Sequence, residues 1–192
     1  MLNGIRIIEI EGLGPTPFAG MLFSDLGAEV TVIHRKDKSD FSNHKNILDR
    51  GKRSIELNLK DPDDLVVAKK LIIRSDAVIE GFRPGVMEKL GLGPNEFSEN
   101  PSLVFGRMTG WGQDGPKSKQ AGHDLNYIGL SGALWFASHP NTPPFTPPAL
   151  VGDVGGGALY LVIGVLSAIL NAKESGKGSV VDAAIVDGSA HM

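Results

Sequence analysis

The sequence has no cysteine. That excludes a disulfide framework, a thiolate metal site and a thiol nucleophile, and leaves the redox compartment open. It also lacks an excess of positive charge. Lys+Arg number 19 against 22 Asp+Glu, a net charge of -3, so bulk electrostatics do not draw it to nucleic acid or to an anionic membrane. Long apolar runs are missing too. The longest, Ala158 to Leu170, is interrupted by Gly164 and Ser167; it reads as a buried helix too short to span a bilayer. Met1 to Arg6 has neither the charged nor the apolar region of a signal peptide. There is no internal repeat, no low-complexity tract and no P-loop, so ATP and GTP have no support. What the chain does have is 192 residues, 41% of them hydrophobic, enough to bury one core.

The order of elements is legible from the N-terminus. Arg6 to Ile10 is a β-branched run and predicts a buried strand. A turn over Glu11 to Pro15, a helix from about Pro17 to Leu26 stopped by Gly27, and a strand over Glu29 to Ile33 make a βαβ unit. Such a unit invites a dinucleotide reading, which fails on inspection. Pro17 stands where the third glycine of G-x-G-x-x-G belongs, and the second strand runs into His34-Arg35 rather than an acid for a ribose hydroxyl, although Arg35 would suit a ribose phosphate. Further strands are predicted over Ser54 to Leu59, Ala77 to Glu80, Leu103 to Met108 and Ser179 to Ile185. Helices are predicted over Asp63 to Arg74 (opened by Asp61-Pro62), Val86 to Leu90, His123 to Leu134 and Val154 to Asn171. Ser138 to Pro148 carries five prolines and reads as a stiff connector. The alternation implies an α/β fold: an open, Rossmann-like, mostly parallel sheet with flanking helices over residues 1–185. Residues 186–192 read as the start of a helix that continues into a region not included, so the chain is expected to be a fragment of a longer protein.

Ligands on open α/β sheets bind outside the carboxyl ends of the strands. Arg35, Arg83 and the loop after Met108 all fall at such ends. Arg35, Arg50, Lys52, Arg53, Arg83 and Lys89 at strand ends and turns suit a polyphosphate, although each alone reads as solvated surface. Two short stretches carry acid/base chemistry. Ala121-Gly122-His123-Asp124-Leu125-Asn126-Tyr127 sets a histidine beside an aspartate at the start of an apolar run, and imidazole gives and takes protons at neutral pH. His34, His44, His139 and His191 have no such setting. Gly152-Asp153-Val154-Gly155-Gly156-Gly157 sets an aspartate before a glycine-rich helix start. Asp153 is there a natural N-cap, a role compatible with chemistry. The three glycines, each costing about 1 kcal/mol in a helix relative to alanine, imply close approach of another segment or of a ligand. Amides at a helix start favour an anion such as an enolate oxygen. Trp111 reads as packing rather than as a stacking platform.

Several of these motifs, in the same order, resemble a known family. They are Gly51-Lys52-Arg53-Ser54, Phe82-Arg83-Pro84-Gly85-Val86-Met87-Glu88-Lys89-Leu90, Arg107-Met108-Thr109-Gly110-Trp111-Gly112-Gln113, the histidine stretch, Val151-Gly152-Asp153 and Gly178-Ser179-Val180-Val181-Asp182-Ala183-Ala184. From Gly4 onward the chain is similar to the α-methylacyl-CoA racemases, a branch of the family III CoA-transferase (CaiB/BaiF) superfamily. The resemblance implies that His123 and Asp153 flank the α-carbon of a 2-methylacyl-CoA. One would remove the α-proton and the other would deliver a proton to the opposite face through an enolate. No metal and no cofactor beyond the substrate's own CoA is implied.

By the same resemblance, CoA-binding positions fall on Arg35, on Leu57, Asn58, Leu59 and Lys60, on Gly81, Phe82 and Arg83, and on Gly122, Asp124, Leu125, Asn126 and Tyr127. A further family arginine matches Lys89, which keeps the charge without the fork geometry. The superfamily also holds CoA-transferases, in which the matching aspartate is a nucleophile and the histidine is generally absent; His123 therefore favours the racemase. Family members are about twice as long, interlock as homodimers, and supply a glutamate partner for the histidine from the missing half. The fragment alone is thus expected to be inactive, or only a CoA-binding piece. Members occur in bacterial cytoplasm and in peroxisomes or mitochondria, and nothing here selects among these. The resemblance implies an acyl-CoA substrate and gives no role to nucleic acid or a membrane.

Overall fold

The computed structural model describes residues 1–36, 46–147 and 149–192; His44 and Pro148 lie outside the described residues. Six strands form one sheet: β1 (Arg6–Ile10), β2 (Glu29–His34), β3 (Arg53–Glu56), β4 (Ala77–Glu80), β5 (Val104–Thr109) and β6 (Val180–Ala184). Their order is β3-β2-β1-β4-β5-β6, and all five pairings are parallel. This is the doubly wound order, with its topological switch between β1 and β4. The expected open α/β sheet is therefore present.

Alternation builds the two faces. Ile7, Val30, Ile79 and Val104 join one apolar cluster with α1 (Pro15–Asp25) and α5 (Leu159–Ser175). Ile8, Ile10, Ile33, Val78 and Phe105 join the other with Ala68 and Ile72 of α2 (Pro62–Ile73) and Met87 of α3 (Val86–Lys89). β4 is buried along its whole length, as a central parallel strand covered on both faces must be. Asp61 caps α2 as its sequence suggests: its Oδ1 accepts the N–H groups of Asp63 and Asp64 at 3.0 and 3.2 Å.

Three local expectations are corrected. β3 is shorter than read and ends at Glu56, because Leu57 already turns into the core beside α2. The helix expected over His123 to Leu134 is α4 (Asp124–Ser131), closed by Gly132 at φ 91° and followed by a 3-10 turn over Ala133–Ala137. The third correction has the largest consequence. The long helix does not begin at Val154. It begins with π-helical turns over Leu150–Ala158, capped by Ala149, and passes straight into α5. Asp153 is therefore inside the helix and is not its N-cap.

The glycines explain this geometry. A Cβ on Gly156 would lie 2.4 Å from Ser189 Oγ, and one on Gly188 would lie 1.9 Å from the Gly156 carbonyl oxygen. Helix α6 (Ile185–His191) thus packs backbone to backbone on the π-helical turns. The continuous helix Leu150–Ser175 has 26 residues and is, by length and composition alone, apolar enough to cross a membrane. The shorter run read from the sequence understated it. In this fold it is a core helix: Leu161, Val162, Val165, Ala168, Ile169 and Ala172 are buried in the cluster beneath the sheet.

Candidate active site

A cleft of about 230 Å³ opens at the carboxyl ends of β4 and β5, beside the switch point. Gly81 to Pro84 form one wall, Thr109 to Trp111 a second, and Gln120 to His123 with Tyr127 a third. Each wall is shaped by a residue without a side chain. Under Gly81 lies the buried Thr16 of α1, whose Oγ1 has no hydrogen-bond partner; a Cβ on Gly81 would come within 2.5 Å of it. Gly110 and Gly122 clasp the Tyr127 ring, where a Cβ would come within 2.0 and 2.6 Å. Tyr127 meets Trp111 edge to face at 4.7 Å, so Trp111 packs as expected.

His123 opens α4 as its N-cap residue and is exposed to the cleft. Asn126 fixes its backbone, with Oδ1 accepting the His123 N–H at 2.9 Å and the Asn126 N–H donating to the His123 carbonyl at 2.8 Å. Asp153 is not one of the residues that line the cleft; it sits on the π-helical turn, bonded to the residue after His123. Its N–H donates to Oδ1 of Asp124 at 2.8 Å, and its own Oδ2 lies against the turn at Gly14, 3.4 Å from where a Cβ would stand. Burial raises the proton affinity of Asp153, the Asp124 charge raises it further, and His123 opposes both. Tyr127 is pushed up by burial and by Asp153, with Arg83 pulling down. Asp153, His123, Tyr127 and Arg83 thus share one electrostatic environment.

The other expected residues are distributed along the rim. Arg35 follows β2, exposed, with its N–H on Glu11 Oε2 at 2.8 Å. After β3, Leu57 is buried and Leu59 packs partly under it. Asn58 N–H donates to Asp64 Oδ2 at 2.8 Å, and its Oδ1 accepts the Lys60 N–H at 3.1 Å. Leu125 and Asn126 are exposed on α4, and Lys89 is exposed at the end of α3. None of these lines the cleft. The segments after β2 and β3 lie on the edge that carries it, and from β3 to β5 that edge crosses four strand spacings, about 19 Å. This suits a long ligand lying across several strand ends.

Three of the six expected basic residues are committed elsewhere. Arg50 pairs with Asp25, and Arg53 lies 3.7 Å from Glu29. Lys52 is buried, with Nζ 2.7 Å from Glu9 Oε2 and 3.0 Å from the Pro17 carbonyl. Lys52 is a structural cation and does not face a polyphosphate.

A buried polar group supports the cleft and had no signal in the sequence. Glu80 Oε2 accepts the Phe82 N–H at 2.6 Å, holding the turn that forms the first wall. Arg107 lies beneath, Nε 3.9 Å from Glu80, its guanidinium also bonded to Glu88 and, at 2.8 Å, to Gln113. Arg107 thereby ties the wall after β4 to the loop after β5. Burial pushes Glu80 up to about 7 from 4.5, against the Phe82 N–H and Arg107. The folded chain then binds this proton more tightly than the unfolded one. The stability it contributes is fully present below the unfolded value and is lost as pH rises through the folded one. Glu80→Gln keeps the acceptor for Phe82 and removes the charge. Its unfolding free energy is expected to fall less than that of the wild type between about pH 5 and about pH 8 in urea titrations. Parallel profiles would contradict this assignment.

Comparison with known proteins places this cleft in a family. The model of the CoA-transferase family III matches residues 2–192. Among curated relatives, alpha-methylacyl-CoA racemase of Mus musculus is 42% identical over 193 residues, covering 100% of this chain and 50% of the relative. A succinyl-CoA–D-citramalate CoA-transferase of Chloroflexus aurantiacus is 32% identical over 200 residues, covering 97% and 50%. The crystal structure of a CAIB/BAIF family protein from Brucella suis superposes with a TM-score of 0.91 at 27% identity, covering 100% of this chain and 55% of that one. The chain belongs to CoA-transferase family III. It spans about half the length of the curated relatives it matches.

Proposed function

We propose that the intact protein is a racemase that interconverts (R)- and (S)-2-methylacyl-CoA thioesters. One observation supports the reading: the N–H of Asp153, whose proton affinity is raised, donates at 2.8 Å to Asp124, the residue after His123. Inversion at carbon needs two acid/base groups on opposite faces. His123 takes the α-proton on one face, electron density moves onto the thioester oxygen, and Asp153 returns a proton to the other face. The reverse direction exchanges the roles. Burial, and after it the Asp124 charge, raise the proton affinity of Asp153, which favours its carrying the proton that it delivers. Backbone donors in the first turn of α4, which His123 opens, suit the enolate oxygen. The rim from β3 to β5 suits the CoA, with Arg35 after β2 and Arg83 after β4 as cations for it. No metal or further cofactor enters this mechanism. An acyl-CoA is the substrate, and a second subunit covers exposed apolar residues such as Ile163 and Leu170 of α5, which are 60% and 67% exposed.

The relatives named as CoA-transferases support a second reading, in which Asp153 attacks a thioester as a nucleophile. The intact protein in deuterated water with a 2-methylacyl-CoA separates the two. Deuterium entering the α-position together with loss of optical purity is the expected result. CoA transfer to a free carboxylate that depends on Asp153, without α-exchange, would replace the racemase with the transferase.

A further inference from the structure

We infer that Asp124 is a positioning residue that locks the two acid/base groups into one constellation; the inference rests on the racemase reading for its kinetic consequence. Asp124 is the residue after His123 and the first of α4. It is only 8% exposed, unusual for a carboxylate beside an open cleft. Its Oδ1 accepts the N–H of Asp153, 29 residues further along the chain. The bond is therefore a clamp between α4 and the π-helical turn, made at the two residues that flank or bear the chemistry.

The clamp is built from both sides. A Cβ on Gly152 would lie 2.3 Å from Asp124 Oδ1 and 2.9 Å from the Ile128 side chain, so the turn before Asp153 can approach only as glycine. A charged acceptor on a backbone N–H is among the stronger hydrogen bonds. Losing it would free the π-helical turn to shift against α4. A displacement of about 1 Å in a reacting group costs on the order of 100-fold in rate. The charge has a second effect. Burial raises the proton affinity of Asp153 most, the Asp124 charge adds to it and His123 opposes both, while Asp153 in turn acts on Tyr127.

Two variants of the intact protein separate position from charge. Asp124→Ala removes the acceptor; Asp124→Asn keeps an oxygen for the Asp153 N–H and removes the charge. We expect Asp124→Ala to lower kcat for α-proton exchange by about 10- to 100-fold with KM for the thioester nearly unchanged. Asp124→Asn should recover most of the loss. Gly152→Ala should reproduce the Asp124→Ala phenotype from the other side of the contact.

Two readouts do not depend on the reaction. Amide hydrogen exchange at Asp153 should stay protected in Asp124→Asn and lose protection in Asp124→Ala. The Asp153 carboxyl, followed by carbon NMR, should titrate at lower pH in Asp124→Asn. An Asp124→Ala variant with wild-type kcat and a protected Asp153 amide would overturn the inference. So would one that raises KM alone, which would assign Asp124 to holding CoA. Should the wild type show no α-exchange, the racemase reading fails while the amide and titration readouts still decide whether Asp124 positions Asp153.

Discussion

Lys52→Met is expected to destabilise the intact protein by about 3–5 kcal/mol, the cost of leaving a buried charge without its partner. Lys52 and Glu9 are 1% and 2% exposed at their side chains, and their contact is 2.7 Å. The pair joins three pieces of chain: Glu9 in β1, the Pro17 carbonyl in α1, and Lys52 just before β3. No room exists for rearrangement on one side, since a Cβ on Gly20 would stand 1.8 Å from the Glu9 carboxylate. Burial pushes Glu9 upward even against the pull of Lys52. Without Lys52 the carboxyl escapes by holding a proton, so the cost of Lys52→Met should shrink as pH falls below neutrality. The double variant Glu9→Met/Lys52→Met replaces both charges with unbranched side chains and should recover most of the stability. Denaturant unfolding of the four proteins of this cycle measures the coupling directly. Additive losses would show that the pair is not the buried clamp described above.

His123→Ala should lower kcat for racemisation by about 10²- to 10⁴-fold, the range that a positioned acid/base group supplies. Asp153→Asn should do the same. The two losses should not multiply in the double variant, because inversion already fails when either face lacks its group. His123→Ala has a second consequence. In the wild type His123 opposes the rise in Asp153 proton affinity caused by burial and by Asp124. Its removal should move the Asp153 titration further upward. A racemisation rate within a few-fold of wild type in His123→Ala would rule out the histidine as one of the two groups.

Much of this architecture was legible in the sequence because it is local. β-branched runs of four to six residues bounded by Gly, Pro and Asp gave the strands their places, and Asp61-Pro62 gave α2 its start. The glycines after Asp153 correctly signalled a close approach, which at Gly156 is the backbone of α6 and at Gly157 the side chains of Ile185 and Met108. What stayed hidden depends on contacts distant in sequence or on small changes of helical period. The π-helical turns depart from the α-helical period that marks a helix in sequence, so Asp153, a favoured capping residue type, read as an N-cap three residues after the helix had begun. Lys52 read as a surface cation because composition cannot show that Glu9, 43 residues away, waits for it in the core. The contact of Glu80 with Arg107 gave no signal for the same reason, although Arg107 opens one of the family motifs: their meeting under the cleft is a product of the strand order. Asp124 could be placed beside His123 by sequence, but its bond to the Asp153 amide belongs to the packing of α4 on the π-helical turn.

The most direct test of two groups acting on opposite faces is exchange in deuterated water with each pure enantiomer of a 2-methylacyl-CoA, given separately to the intact His123→Ala and Asp153→Asn proteins. A crossed pattern is expected. Each variant should exchange the α-hydrogen of one enantiomer only, with retention of configuration, and the favoured enantiomer should differ between the two variants. Equal exchange of both enantiomers by either variant would contradict it, because one group would then be serving both faces.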